Sequence, residues 1–147
     1  MAVSVRRSIG RLAACAFLAA VALGPTPIAQ ADDTPHKSFR WDHDLHAGDC
    51  TMFHGANFSL VADGYAYFYA EVTSSDDNDA WIMHARLVSA DNRYLSTINN
   101  ANPIPGDITK FVLNLPSSEH QYPWAFRATY APEDFNAAAH IELRNSC

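Results

Sequence analysis

The sequence predicts an all-β fold: an antiparallel β-sandwich of about seven or eight strands held by one disulfide, with a β-barrel as the alternative. Three observations predict it. Apolar and polar residues alternate with a period of two over several runs. Turn residues punctuate those runs at short intervals. Two cysteines, Cys50 and Cys147, bracket most of the β-rich region.

The runs follow one another along the chain. Residues 38–41 are a first strand, and 50–53 and 57–61 are the next two. Asp63-Gly64 is the strongest turn signal, because glycine supplies the positive φ of a tight hairpin. Residues 65–73 are the clearest strand, followed by a polar loop over 74–79. A long strand over 80–88 turns at Asp91-Asn92 into a strand over 94–98. Pro103, Pro105 and Gly106 make 99–107 irregular. Strands over 108–115 and 124–130 come next. Pro132-Glu133-Asp134 followed by Ala137 to Ala139 begins a short helix, with proline in its first turn and acids at its positive end. A last strand covers 140–145.

The alternation assigns faces. Trp81, Met83, Ala85 and Leu87 share one face of their strand, with His84 and Arg86 on the other. Phe111, Leu113 and Leu115 share a face. Trp124, Phe126, Ala128 and Tyr130 lie opposite Arg127 and Thr129. Strands with one apolar face each must pack two sheets together or close a barrel.

The N-terminus has the three parts of an export signal. Arg6, Arg7 and Arg11 precede an apolar run over 12–23, and Ala29-Gln30-Ala31 supplies small residues at the cleavage positions. The run is too short for a bilayer span, which needs about 20 apolar residues. The expected organisation is a signal peptide over 1–31, a flexible polar leader over 32–37 and a single β-sandwich domain over 38–147, with the protein secreted. No membrane association is expected after cleavage.

The chain as a whole carries a net charge of −6, and losing the three signal arginines takes the remainder to −9. That charge repels phosphate backbones, so nucleic acid is excluded as a partner. It also disfavours anionic membrane surfaces. Cys15 leaves with the signal, which leaves Cys50 and Cys147 as the one intrachain pair in an oxidising compartment.

Four segments stand out: Gly48-Asp49-Cys50-Thr51-Met52, Asp63-Gly64, the stretch from Val72 through Ser74-Ser75-Asp76-Asp77-Asn78-Asp79-Ala80-Trp81, and Asn114-Leu115-Pro116. Together they resemble a family of small exported actinobacterial proteins of unknown function. The resemblance implies a bacterial, extracellular protein. It implies no activity and no site residues.

Catalytic signatures are missing. The sequence contains no Gly-x-Ser-x-Gly, His-Glu-x-x-His, phosphate-binding glycine loop or Cys-x-x-Cys. No catalytic residue is assigned, and the expected protein is not an enzyme. No cofactor is expected beyond weak Ca²⁺. Asp76, Asp77 and Asp79 offer hard oxygen ligands for it, but without the alternate spacing and central glycine of an EF-hand loop. Turn hydrogen bonding is the favoured use of that loop. Asp42, His43, Asp44 and His46 offer transition-metal ligands, yet His43 and His46 point to opposite faces of an extended segment.

The strongest candidate surface is Tyr65, Tyr67 and Tyr69. Alternate positions place the three rings on one face, while Ala66, Phe68, Ala70 and Val72 share the other. Glu71 and Thr73 continue the tyrosine face, and a carboxylate is rarely buried unpaired. The tyrosines therefore face water unless Phe39 or Trp41 covers them. The expected function is a secreted, non-catalytic binding module for extracellular polysaccharide. The alternative is a protein-binding protein such as a protease inhibitor that presents the proline-restrained loop over 99–107. A small secreted hydrolase is the third reading.

Overall fold

In a computed structural model, residues 34–147 are described, and ten strands run through them. The expected export signal over 1–31 lies outside the described residues. The strands are β1 (His36–Arg40), β2 (Leu45–Ala47), β3 (Cys50–Met52), β4 (Asn57–Val61), β5 (Tyr65–Ser74), β6 (Asp79–Ser89), β7 (Tyr94–Asn100), β8 (Phe111–Leu115), β9 (Tyr122–Thr129) and β10 (Ala138–Ser146). All pair antiparallel, and the main path across the sheet is β1-β4-β5-β9-β7-β6-β10. The result is an all-β, nearly closed, barrel-like sheet.

Two long strands organise it. β5 pairs with β9 from Tyr65↔Thr129 to Val72↔Tyr122. Its other edge carries two short strands in tandem, β4 and then β3. β6 repeats the plan. It pairs with β10 from Ser89↔Ala138 to Ile82↔Ser146. Its other edge carries β8 and then β7. The two layers join through the short pairing Asn99↔Thr129 and Asn100↔Ala128 between β7 and β9.

The remaining seam lies between the outer strands β1 and β10. Near the start of β10, Lys37 Nζ donates to the carbonyls of Asn136 and Ala138 at 2.9 Å each, and lies 5.2 Å from the Phe135 ring centroid. Beyond the end of β10, the Cys50–Cys147 disulfide ties Cys147 to β3, with Cα atoms 5.8 Å apart. The bridge closes a sequence separation of 97 residues. A loop that long restricts the unfolded chain by about 4–5 kcal/mol in the chain-entropy account.

The core is aromatic and crosses both layers. Phe58 of β4 lies 4.6 Å from Phe68 of β5, Phe68 stacks at 4.8 Å on Phe126 of β9, and Phe126 stacks at 4.3 Å on Phe111 of β8. Trp81, Met52, Leu60, Met83, Leu87 and Ile98 are fully buried around this column. Such offset ring pairs add roughly 0.5–1.5 kcal/mol each beyond the area they bury. The β4–β5 turn is sealed from across the fold. The Tyr130 hydroxyl donates to the Val61 carbonyl at 2.6 Å, and the Tyr130 N–H donates to the Gly64 carbonyl at 2.9 Å. Gly64 has φ +93°, and a Cβ there would stand 3.1 Å from the Tyr130 carbonyl oxygen. The backbone conformation and the close approach both require glycine.

Several details differ from the sequence expectation, among them the start of β8 at Phe111 rather than at 108. β1 begins at His36, inside the expected leader, because His36 and Lys37 pair with Val61 and Leu60. The short helix after Pro132 is a single 3-10 turn, Pro132–Asp134, and Ala138 already belongs to β10 through its pairing with Ser89. Sheet pairing overrides a weak local helix signal here. Ten strands form rather than seven or eight, because all nine runs read from the sequence pair and β2 adds a hairpin with β3, Leu45 opposite Met52.

Candidate functional site

The outward face of β5 presents Tyr65, Tyr67 and Tyr69, whose residues are 37%, 48% and 48% exposed. Ala66, Phe68, Ala70 and Val72 are buried on the opposite face. The period-two assignment of faces agrees with this placement. Phe39 and Trp41 pack against the core and so do not lie over the tyrosines.

The surroundings leave the rings proud of the sheet. Ser59 and Asn57 of β4 stand opposite Tyr67 and Tyr69. Thr129, Arg127 and Ala125 of β9 stand opposite Tyr65, Tyr67 and Tyr69. Most of these side chains are short and uncharged. Farther out, Ser38 and Arg40 of β1 sit opposite Ser59 and Asn57, and the Ser38 hydroxyl donates to Asn57 Oδ1 at 2.6 Å. The Arg127 guanidinium carbon lies 4.9 Å from the Tyr65 ring centroid, a cation–π contact that holds both side chains. The Tyr69 hydroxyl donates to Glu71 Oε1 at 3.3 Å, and the nearby carboxylate charge raises the Tyr69 pKa. At about 3.4 Å rise per residue the three rings span roughly 14 Å. They form an aromatic stripe neighboured by hydroxyls, an amide and one guanidinium.

The aspartates of the 74–79 loop serve separate hydrogen bonds. Asp77 Oδ1 accepts from the Ser118 N–H at 2.7 Å and from the Ser118 hydroxyl at 2.9 Å. Those two bonds lower the Asp77 pKa. Asp79 accepts from the Ser74 hydroxyl, and Ser74 Oγ accepts from the Asp76 N–H at 3.1 Å. Asn78 turns the chain at φ +63°. Among the described residues the group with metal-ligand spacing is Cys50, Asp79 and Cys147. Both sulfurs there are in the disulfide, so they offer no thiolate.

The histidine-rich segment does not converge either. His43 Nδ1 lies 3.0 Å from Asp42 Oδ1, while His46 Nδ1 lies 3.0 Å from Thr51 Oγ1. Asp44 instead accepts from the His54 N–H at 2.7 Å and faces its Nδ1 at 3.0 Å. These bonds to His54 lower the Asp44 pKa.

Sequence reasoning missed a second surface, on the outside of β6. His84 and Arg86 were placed on the outward face, but as isolated residues. Register sets His84 opposite Arg144 and Arg86 opposite Glu142. The loop after β7 brings Asp107 Oδ2 to 3.2 Å from His84 Nε2. A groove of about 610 Å³ is lined by His84, Arg86, Thr97, Thr109, Glu142 and Arg144. No local sequence signal marks Asp107 or Glu142 as partners, since they stand 23 and 56 residues from His84 and Arg86.

No match is found among the curated proteins or among the solved structures. A family model does match, over residues 57–147, from the start of β4 to Cys147; β1, β2 and β3, with Cys50, precede the matched span. The chain belongs to that family, a family of unknown function designated DUF6294.

Proposed function

We propose that the protein is an exported, non-catalytic binding module that takes extracellular polysaccharide on the platform of Tyr65, Tyr67 and Tyr69. The observation that carries this reading is the stripe of half-exposed rings on one strand whose opposite face is wholly buried. Each ring offers up to roughly 150–250 Å² of contact area, so the stripe reaches the few hundred Å² at which an apolar patch marks an interaction site. Stacking suits the apolar faces of sugar rings, and the tyrosine hydroxyls, Asn57, Ser59 and Arg127 suit their hydroxyl groups. The Cys50–Cys147 disulfide fits an oxidising compartment. Among the described residues no helix is long and apolar enough to cross a membrane.

A pull-down on insoluble cellulose, chitin and xylan tests the proposal. Saturable retention on at least one glycan is expected, together with its loss in the triple variant Tyr65→Thr, Tyr67→Thr, Tyr69→Thr. A folded triple variant that binds like the parent protein refutes the platform. The protease-inhibitor reading draws on the exposed Ile104 and Ile108 around the proline-restrained loop. Loss of a secreted protease's activity on adding the protein would favour it instead.

A further inference from the structure

The groove on the outside of β6 is a second, independent site. Its floor comes from two neighbouring strands, with His84 directly opposite Arg144 and Arg86 directly opposite Glu142. Cβ atoms of such pairs lie about 4.5–5.5 Å apart. Thr97 of β7 stands on the other side of Arg86, and Thr109 rises from the loop beside it. The volume of 610 Å³ suits a small molecule.

Thr109, in its wall, is held in place by Asp107. Asp107 Oδ1 accepts from the Thr109 N–H at 2.9 Å and from the Thr109 hydroxyl at 2.7 Å. The base of the loop is tied by Asn100 N–H to the Ile108 carbonyl at 2.7 Å and by Asn100 Nδ2 to the Lys110 carbonyl at 3.0 Å. Asp107 is therefore fixed before it meets His84.

The bonds already made define what is still unmet. Arg86 donates through Nε and a terminal nitrogen to Glu142 Oε2, so that guanidinium is engaged. An ionised Asp107 only accepts, so the His84 Nε2 beside it carries the proton. Nδ1 is then the ring nitrogen left for a ligand. Among the described residues Nδ1 has no protein partner, and neither does the exposed Arg144 guanidinium. The groove thus presents a planar cationic fork beside an imidazole nitrogen on the adjacent strand. A carboxylate satisfies the fork bidentately, and a neighbouring hydroxyl, which both donates and accepts, pairs with Nδ1. A polyanion is disfavoured by the acidic surface and by Glu142 in the groove itself.

We propose that this groove binds a hydroxylated carboxylate, with Arg144 taking the carboxylate and His84 Nδ1 pairing with a hydroxyl of the same ligand. Sugar acids and open-chain hydroxy acids both carry that chemistry. The site lies on the other layer from the tyrosines and stands or falls without them.

Amide chemical-shift titration of the disulfide-bonded protein tests it, with galacturonate, galactose, acetate and lactate as probes. Galacturonate or lactate is expected to give saturable shifts centred on His84, Thr97, Thr109 and Arg144, and the stronger of the two identifies the source of the ligand. Galactose lacks the carboxylate and acetate lacks the hydroxyl, so each should bind at least about tenfold more weakly. Arg144→Gln keeps a polar, exposed side chain and should weaken binding by about tenfold or more with an unchanged melting temperature. Asp107→Asn frees the His84 tautomer and should weaken it less. The tyrosine triple variant should leave these shifts untouched. The proposal is overturned if neither hydroxy acid shifts the groove, if Arg144→Gln binds as the parent does, or if acetate and galactose match the stronger probe.

Discussion

Strands β5 and β6 occupy equivalent places: each has one long partner along one edge and two short strands in tandem along the other. Their inward residues are alike, alternating Ala66, Phe68, Ala70 and Val72 in one and Trp81, Met83, Ala85 and Leu87 in the other, all buried. Their outward residues are not. On β5 three tyrosines stand among short, mostly neutral neighbours and remain partly exposed. On β6 His84 and Arg86 are met by Asp107 and Glu142, and a groove lined by charged side chains lies beside them. The difference teaches that period-two patterning secures the core, whereas a strand's outward chemistry depends on what its neighbours bring. One layer offers area, and the other offers direction.

The comparison breaks first where the two layers are tied together. Replacing Cys50 and Cys147 by serine removes the covalent tie and should lower unfolding stability by about 4–5 kcal/mol. Unfolding free energies of the oxidised parent and the double variant, each extrapolated to water with its own denaturant slope, measure it. A loss below about 1 kcal/mol would mean that the Lys37 contacts and the β7–β9 pairing hold the layers by themselves.

Within β5, inward and outward positions should respond very differently. Phe68→Ala empties the centre of the aromatic column and should cost about 3–5 kcal/mol. Tyr67→Thr, one residue away, replaces a half-exposed ring by a good strand former and should change stability by less than about 1 kcal/mol. Thermal or denaturant unfolding of the two variants compares them. Equal losses would mean that the tyrosine face is core.

On β6 the loop carboxylate should be visible in acid. Bonds from the Thr109 hydroxyl and N–H, and then from His84, lower the Asp107 pKa to about 2. A folded-state pKa depressed below the ordinary value of 3.8 means that its stabilising contribution is complete above that value. It is lost as pH falls toward about 2. Carboxyl chemical shifts followed from pH 6 to pH 1.5 should show Asp107 titrating last or nearly last. Thr109→Val should return it toward the ordinary value. A midpoint near that value in the parent would mean that the groove wall is not held as described.

The smallest effect is expected from the most conspicuous charge pair. Arg86 and Glu142 are 54% and 47% exposed at their side chains, so water screens them. A double-mutant cycle to alanine should return a coupling of roughly 0.2–1 kcal/mol, shrinking with added salt. A coupling well above that would make the pair a structural element rather than part of an open surface.

The β-rich fold was legible because its signals are local. Gly64 and Asn92 both adopt positive φ in the turns that Asp63-Gly64 and Asp91-Asn92 announced, at +93° and +61°. The buried faces of β5, β6 and β9 follow from alternation in single runs. β2 was missed because three residues, Leu45–Ala47, are too few to show a period. The helix after Pro132 stopped at one 3-10 turn because the pairing of β10 with β6 claims the following alanines. The candidate surfaces divide in the same way. Tyr65, Tyr67 and Tyr69 are one strand's business and were visible as a stripe. The groove needs β6, β10 and a loop at once, and no window of sequence contains all three.

The sequence by itself determined that the chain is β-rich, which face of each long strand is apolar, and which single cysteine pair is available after the N-terminal segment. These follow from side-chain period, turn chemistry and counting. Only the tertiary structure decided that two similar layers wrap into a nearly closed sheet, that Lys37 and Cys147 fasten the seam at either end of β10, and that Asp107 reaches His84. Those are pairings between residues far apart in the chain. Register is set by the summed burial of whole strands rather than by any one residue's preference.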